Sequence, residues 1–188
     1  IRAVGLPQWS SAAQEFDLAL QELMNSDEKN GLATELEGLQ GPPEDPISGG
    51  SDDIGDVSWV TPTVTLRFPS NVRGLQGHHW SSAMAMATPI AHKGATAGAK
   101  VIAATMLDLY QDETLLEDAR RYFQEEQSTD VQYEPFIGPD DLPAIEKNKA
   151  TMDEFRGRLE ALYYDPTRFR TYLEQLGIDY PQLEKPAP

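Results

Sequence analysis

The chain has 188 residues, 39% hydrophobic and 9% aromatic, with 31 acidic side chains against 15 basic ones and a net charge of −16. That length suits one domain with room for a sizeable core, and the charge argues against nucleic acid, whose binding needs a basic surface to neutralise phosphates. The lack of cysteine removes disulfides, thiolate zinc sites, iron–sulfur clusters and cysteine nucleophiles, so any metal would be held by histidine and carboxylate. No apolar run approaches the roughly 20 residues that span a bilayer. There is no basic amphipathic helix for an anionic membrane surface and no signal-peptide pattern at the start. A cytoplasmic protein is expected. The first residue, Ile1, suits a fragment, a processed product or a trimmed chain.

Residues 1–7 read as an extended lead-in, and Ser11 with Gln14 has capping-box spacing for a first helix. Phe16, Leu20, Leu23 and Met24 then share one face, and Asn30-Gly31 is the expected stop. A connector with three prolines follows over residues 41–46, and then a Gly-Gly-Ser-Asp-Asp turn. Val57 and Trp59 open β-type sequence, and Val64, Leu66 and Phe68 alternate with Thr65 and Arg67 as in a half-buried strand. That strand would deliver a loop, residues 69–80, with His78 and His79 just beyond a strand end, where α/β sheets commonly place ligand-binding groups.

Pro89 suits the first turn of a long helix reaching about Tyr110. Its first half is mostly Ala, Gly and Thr, which would let its backbone approach a sheet closely. Asp112 should cap a further helix with Leu115, Leu116, Ala119, Tyr122 and Phe123 on its apolar face. After an irregular stretch with Pro135, Pro139 and Pro143, Thr151 and Glu154 make another capping box. Asp165-Pro166 begins a last helix that Gly177 ends, so the tail reads as a helical hairpin.

Chemistry-bearing residues concentrate between residues 49 and 100. All three histidines, His78, His79 and His92, lie there with Asp52, Asp53 and Asp56. Between Val57 and Leu107 there is no Asp or Glu, while Arg67, Arg73, Lys93 and Lys100 fall inside that window. Such a positively biased island in an acidic chain suits an anionic small ligand, and a buried core would exclude carboxylates equally well. Imidazole is both a preferred divalent-metal ligand and the usual base near neutral pH, which makes the His78-His79 pair the sharpest chemical signal. His92 could cap a helix, pack, or meet an anion. Asp52, Asp53 and Asp56 could hold a metal or orient a histidine, although aspartates in a Gly/Ser turn commonly just form the turn. A hydrolytic metal centre normally requires three or more protein ligands and a base. The chain offers a half-site.

Four stretches in order, Val4-Gly5-Leu6-Pro7-Gln8-Trp9, the segment from Gly49 to Val60, Gly77-His78-His79-Trp80, and Ala91-His92-Lys93-Gly94 with Ala99-Lys100, resemble the C-terminal part of one subunit group of the p-aminobenzoyl-glutamate hydrolases. That group belongs to the metallo-aminopeptidase, carboxypeptidase and aminoacylase superfamily. The resemblance covers roughly residues 1–145 and implies the C-terminal portion of an α/β, metallopeptidase-like catalytic domain, followed by a helical tail over residues 146–188. It implies a metal-dependent amidohydrolase acting on an N-acyl amino acid, two divalent ions (zinc or manganese), and a homodimer. His78 best matches the last metal ligand, with His79 as the alternative. His92, Lys93, Arg73, Asp52 and Asp53 fall where substrate would be lined. The family's His-x-Asp pair, bridging aspartate and Glu-Glu pair have no counterpart, so no catalytic residue is assigned in this chain. An N-terminal part or a second chain is expected to supply them; a non-catalytic binding or assembly subunit, or a hydrolase of another aromatic amide or amine, are the alternatives.

Overall fold

The computed structural model describes residues 1–38 and 52–183. The proline-rich connector and residues 49–51 of the aspartate turn lie outside them. Helix accounts for 47% of the described residues and no strand occurs among them, so the expected α/β class is corrected to a helical one with long irregular connections. Seven α-helices are described: α1 (Ser11–Leu23), α2 (Ile54–Ser58), α3 (Trp80–Met86), α4 (Pro89–Gln111), α5 (Glu113–Tyr122), α6 (Lys149–Glu160) and α7 (Tyr172–Leu176). A π-helical turn, Phe123–Gln127, extends α5. No described helix is long and apolar enough to cross a membrane.

The chain forms two compact units, one of residues 1–133 with 180–188 and one of residues 134–179. The sequence boundary at 145/146 therefore falls inside the second unit. In the first unit α1 provides the core: Ala13, Phe16 and Leu20 pack with Leu32, Val72, Ala85 and Ile90. Tyr180 returns to this core and stacks on Phe16 with ring centroids 5.5 Å apart. Ser10, one residue before the expected cap, accepts the Ala13 amide and starts α1. This leaves Gln14 free for another task. Its side-chain amide receives the Leu32 N–H at 2.9 Å and donates to the Leu32 carbonyl at 3.2 Å. Gln21 likewise accepts from Gly31 N at 3.4 Å and donates to the Arg73 carbonyl at 3.2 Å. The helix stops at Leu23, earlier than Asn30-Gly31, where Asn25 turns into the left-handed region at φ 50°.

The expected strand is an extended segment with no ladder partner among the described residues. Val57 lies in α2, Trp59 caps it, and Val64 is 89% exposed. Leu66 and Phe68 are half-buried while Thr65 and Arg67 face solvent, so the alternation holds over residues 65–68 and fails at Val64. Alternation tells which side chains face a neighbour, but a strand also needs a second extended chain to pair its N–H and C=O groups. Here the neighbour is α4. A Cβ at Gly94 would lie 2.0 Å from the Pro69 carbonyl oxygen and 2.5 Å from Ser70 Cα, whereas one at Gly98 would meet Phe68 Cβ at 3.5 Å. The small residues of α4 thus permit close approach, to an extended segment rather than to a sheet. Thr88 caps α4 ahead of Pro89, and Asp112 caps α5 by accepting the Thr114 amide at 3.0 Å.

In the second unit α6 begins at Lys149, earlier than the Thr151 capping box, and carries a Lys149–Asp153 ion pair. Thr171 caps α7, and Gly177 ends it in the left-handed conformation at φ 70°. Gln175 fastens the preceding turn by accepting from Asp165 N at 2.8 Å and donating to the Tyr163 carbonyl at 3.0 Å.

Asp17 occupies a core position on α1, fully buried, and neither carboxylate oxygen has a hydrogen-bond partner among the described residues. Burial raises its pKa from 3.8 to about 6, and the positive charge of Arg73 only partly offsets this. The folded chain therefore holds the proton at a pH where the unfolded chain releases it. The stability contributed by neutral Asp17 is complete below the unfolded value and is lost as pH rises through about 6. Asp17→Asn should match the parent near pH 4 and exceed it above pH 7, by on the order of 3 kcal/mol, in urea melts run across pH. Gly94→Ala should cost about 2 kcal/mol or more in the same melts, because the Pro69 carbonyl must move, while Gly98→Ala should be close to neutral.

Candidate functional site

The chain's first residues build one wall of the site. The Val4 and Gly5 amides both reach the Ile1 carbonyl, at 3.1 and 2.9 Å, and Gly5 takes φ 73°, so the lead-in opens as a tight turn before running extended. Trp9 anchors the far end through its indole N–H to the Ala33 carbonyl at 2.7 Å. The strap between these anchors, residues 5–8, lies along α4, where the Lys93 ammonium donates to the Gln8 carbonyl at 2.6 Å. Together they enclose a groove of about 430 Å³, lined by residues 4–8 and by His92, Lys93, Thr96, Ala97 and Lys100. Among the described residues no acidic one lines it. Leu6, Pro7 and Gln8 also line a second groove of about 450 Å³ on whose wall Trp9, Gln14 and Glu35 lie. Two stretches far apart in sequence, residues 4–8 and 92–100, thus line one groove, to which the second brings the cations Lys93 and Lys100.

The histidine pair sits elsewhere. His79 is the N-cap of α3: its Nδ1 accepts the Ser81 amide at 3.3 Å and lies 2.8 Å from the Ser81 hydroxyl, and its ring packs on Trp80 at 5.1 Å. Accepting at Nδ1 places the ring proton of neutral His79 on Nε2. His78 is exposed, takes φ 57°, and makes no hydrogen bond among the described residues. Left-handed backbone is uncommon for a side chain of this size.

Asp52 accepts the Ile54 amide at 3.0 Å, and Asp53 precedes α2 without a side-chain cap bond. Asp56 accepts the Tyr133 hydroxyl, a bond that pushes the Tyr133 pKa upward. Arg73 pairs with Glu28 and Glu37, each at 3.2 Å. Of the substrate-lining residues expected from the sequence, the structure joins His92 and Lys93 in one groove, whose lining includes neither Arg73, Asp52 nor Asp53. Among the described residues no three His, Asp or Glu side chains come together as a metal set. Three features went unread in the sequence. Lys100 joins the groove because it lies seven residues after Lys93, a spacing visible on a helical wheel. The strap's part in the site needed the long-range contact to α4. Asp17, in the series Ala13, Phe16, Asp17, Leu20, Gln21, stands at a core register that a helical wheel would have marked.

Among curated proteins, the chain is similar to a subunit of p-aminobenzoyl-glutamate hydrolase from Escherichia coli (strain K12), at 27% identity over 150 residues. The match takes in 68% of this chain and 31% of the relative, so the chain spans about a third of that relative's length. No family model and no solved structure matches. The similarity supports the relationship that the four sequence stretches suggested.

His79→Ala removes the α3 cap and should cost about 1 kcal/mol in urea melts. His78→Gly relieves left-handed strain and should be neutral to stabilising in the same melts. A clear loss of stability in His78→Gly would show that the ring is held by packing, against its exposed position.

Proposed function

We propose that this chain is one part of a metal-dependent amidohydrolase that cleaves the amide of an N-acyl amino acid such as p-aminobenzoyl-glutamate, and that it completes its centre with ligands from outside the described residues. The observation that carries this reading is the similarity to a hydrolase subunit, together with the meeting of the first and last of the four resembling stretches at one groove. The residues described do not fit a complete metal site: His78 makes no hydrogen bond that would occupy its ring, and no second and third ligand accompany it. Its contribution would be a single ligand. Of the two histidines it is the better suited, since the His79 ring is engaged by Ser81 and Trp80. The partner polypeptide or segment would supply the His-x-Asp and Glu-Glu groups. What the chain's own residues would do is receive the substrate's carboxylate on a cationic wall, in a window otherwise free of competing acids.

The same shortage of ligands favours a second reading, a non-catalytic binding or assembly subunit of such an enzyme. The two separate on reconstitution. The isolated chain, loaded with zinc or manganese, should retain less than one metal per chain and leave p-aminobenzoyl-glutamate intact, because a catalytic site takes about three protein ligands. Combined with the polypeptide bearing the missing pairs it should hydrolyse the amide, and His78→Ala should lower the assembled enzyme's metal content by elemental analysis far more than His79→Ala. Unchanged metal in the His78 variant would remove that residue from the site, and robust turnover by the lone chain would overturn the half-site reading.

A further inference from the structure

We propose that the groove between the strap and α4 is a docking site for a short dicarboxylate, with Lys93 and Lys100 each meeting one carboxylate. The inference deepens the amidohydrolase reading, on which it rests for the choice of a carboxylate ligand over other small anions. Lys93 and Lys100 lie seven residues apart on a continuous helix, about 10 Å along its axis. Two flexible ammonium stems at that spacing can converge on the two ends of a five-carbon diacid, and a single acetate-sized ion could engage only one of them. The ammonium of Lys93 has three donors and spends one on the Gln8 carbonyl, which fixes its position and leaves two for a ligand. Lys100 meets no hydrogen-bonding or ion-pair partner among the described residues.

The surroundings preserve this charge. Among the described residues the groove has no acidic lining, in a chain with 31 acids, and no described carboxylate pairs with either lysine. The Thr96 hydroxyl donates back to the His92 carbonyl at 2.7 Å and competes for neither carboxylate. A space of about 430 Å³ falls within the range of small-molecule sites. Arg73, the other cation expected near substrate, is satisfied by Glu28 and Glu37. That contrast distinguishes an available cation from a committed one.

The test is a titration of the isotope-labelled 188-residue chain with glutarate, followed by NMR, with acetate as the single-carboxylate probe. Saturable shifts should map to residues 4–8 and 92–100, and glutarate should bind more tightly than acetate. Lys100→Ala should weaken glutarate binding roughly tenfold or more, as expected for loss of one charge-assisted contact. Arg67→Ala, an exposed cation outside the groove, should leave it unchanged. Lys100→Ala is the decisive variant because Lys93→Ala also releases the strap. Absence of saturable shifts, equal affinity for acetate and glutarate, or equal weakening by Arg67→Ala would each overturn the site. If the reconstituted enzyme hydrolyses p-aminobenzoyl-glutamate with an unchanged KM in Lys100→Ala, the groove assignment fails and the hydrolase reading stands. If glutarate binds as described but reconstitution gives no hydrolysis, the groove stands and the hydrolase reading fails.

Discussion

Gln14 and Gln21, on the buried side of α1, do for this chain what a ladder of backbone bonds does for a sheet. Each amide offers both a donor and an acceptor, and each reaches backbone from a distant loop: Gln14 holds both polar groups of Leu32, and Gln21 ties Gly31 to Arg73. Ser26 adds a third clip, donating to the Gly74 carbonyl at 3.1 Å. Gly74 itself sits at φ 70°, where a Cβ would fall 2.1 Å from the Ser26 oxygen, so the clip and the glycine require one another. Buried backbone polar groups must find partners, and among the described residues no strand supplies them here. Helix side chains supply them instead, and the apolar core closes over the result.

The same helix carries a polar group that this arrangement leaves without a partner. Asp17 lies between the two glutamines on the buried face, with no donor for either oxygen among the described residues. Its neutral form suits that site better than its charged form, which makes the core of the first unit sensitive to pH around 6. The positive charge of Arg73 softens this penalty through space, while its guanidinium is spent on Glu28 and Glu37 at the surface.

Close packing of α4 against the extended segment organises the opposite side. Gly94 brings the helix against the Pro69–Ser70 backbone, which positions the start of the loop leading to His78 and His79. The outward face of the same helix then presents Lys93 and Lys100 to the strap. One helix thereby supports both chemically distinctive parts of the first unit with different faces. The histidines remain a pair only in sequence. His79 is absorbed into the start of α3, and His78 is turned outward by its backbone.

Helix-forming segments were legible because their periodicity and caps are local: Pro89 lies in the first turn of α4, Asp112 caps α5, and Gly177 ends a helix where the sequence placed the stop. The acid-free window and its cations were also legible, since charge counting needs no coordinates. Strand formation was not. The alternation of Leu66 and Phe68 with Thr65 and Arg67 is present in the structure, but whether such a run becomes a strand depends on an extended partner that local pattern cannot reveal. Capping boxes misled at Ser11 and Thr151 because a side chain with the right spacing can be claimed by a distant loop, as Gln14 is by Leu32, or passed over by an earlier start, as at Lys149. Residue types, and the register in which each helix displays them, follow from the order of amino acids along the chain. Which ones meet is set by tertiary contacts, because the Gln8–Lys93 hydrogen bond joins residues 85 apart in sequence, beyond the reach of any local pattern.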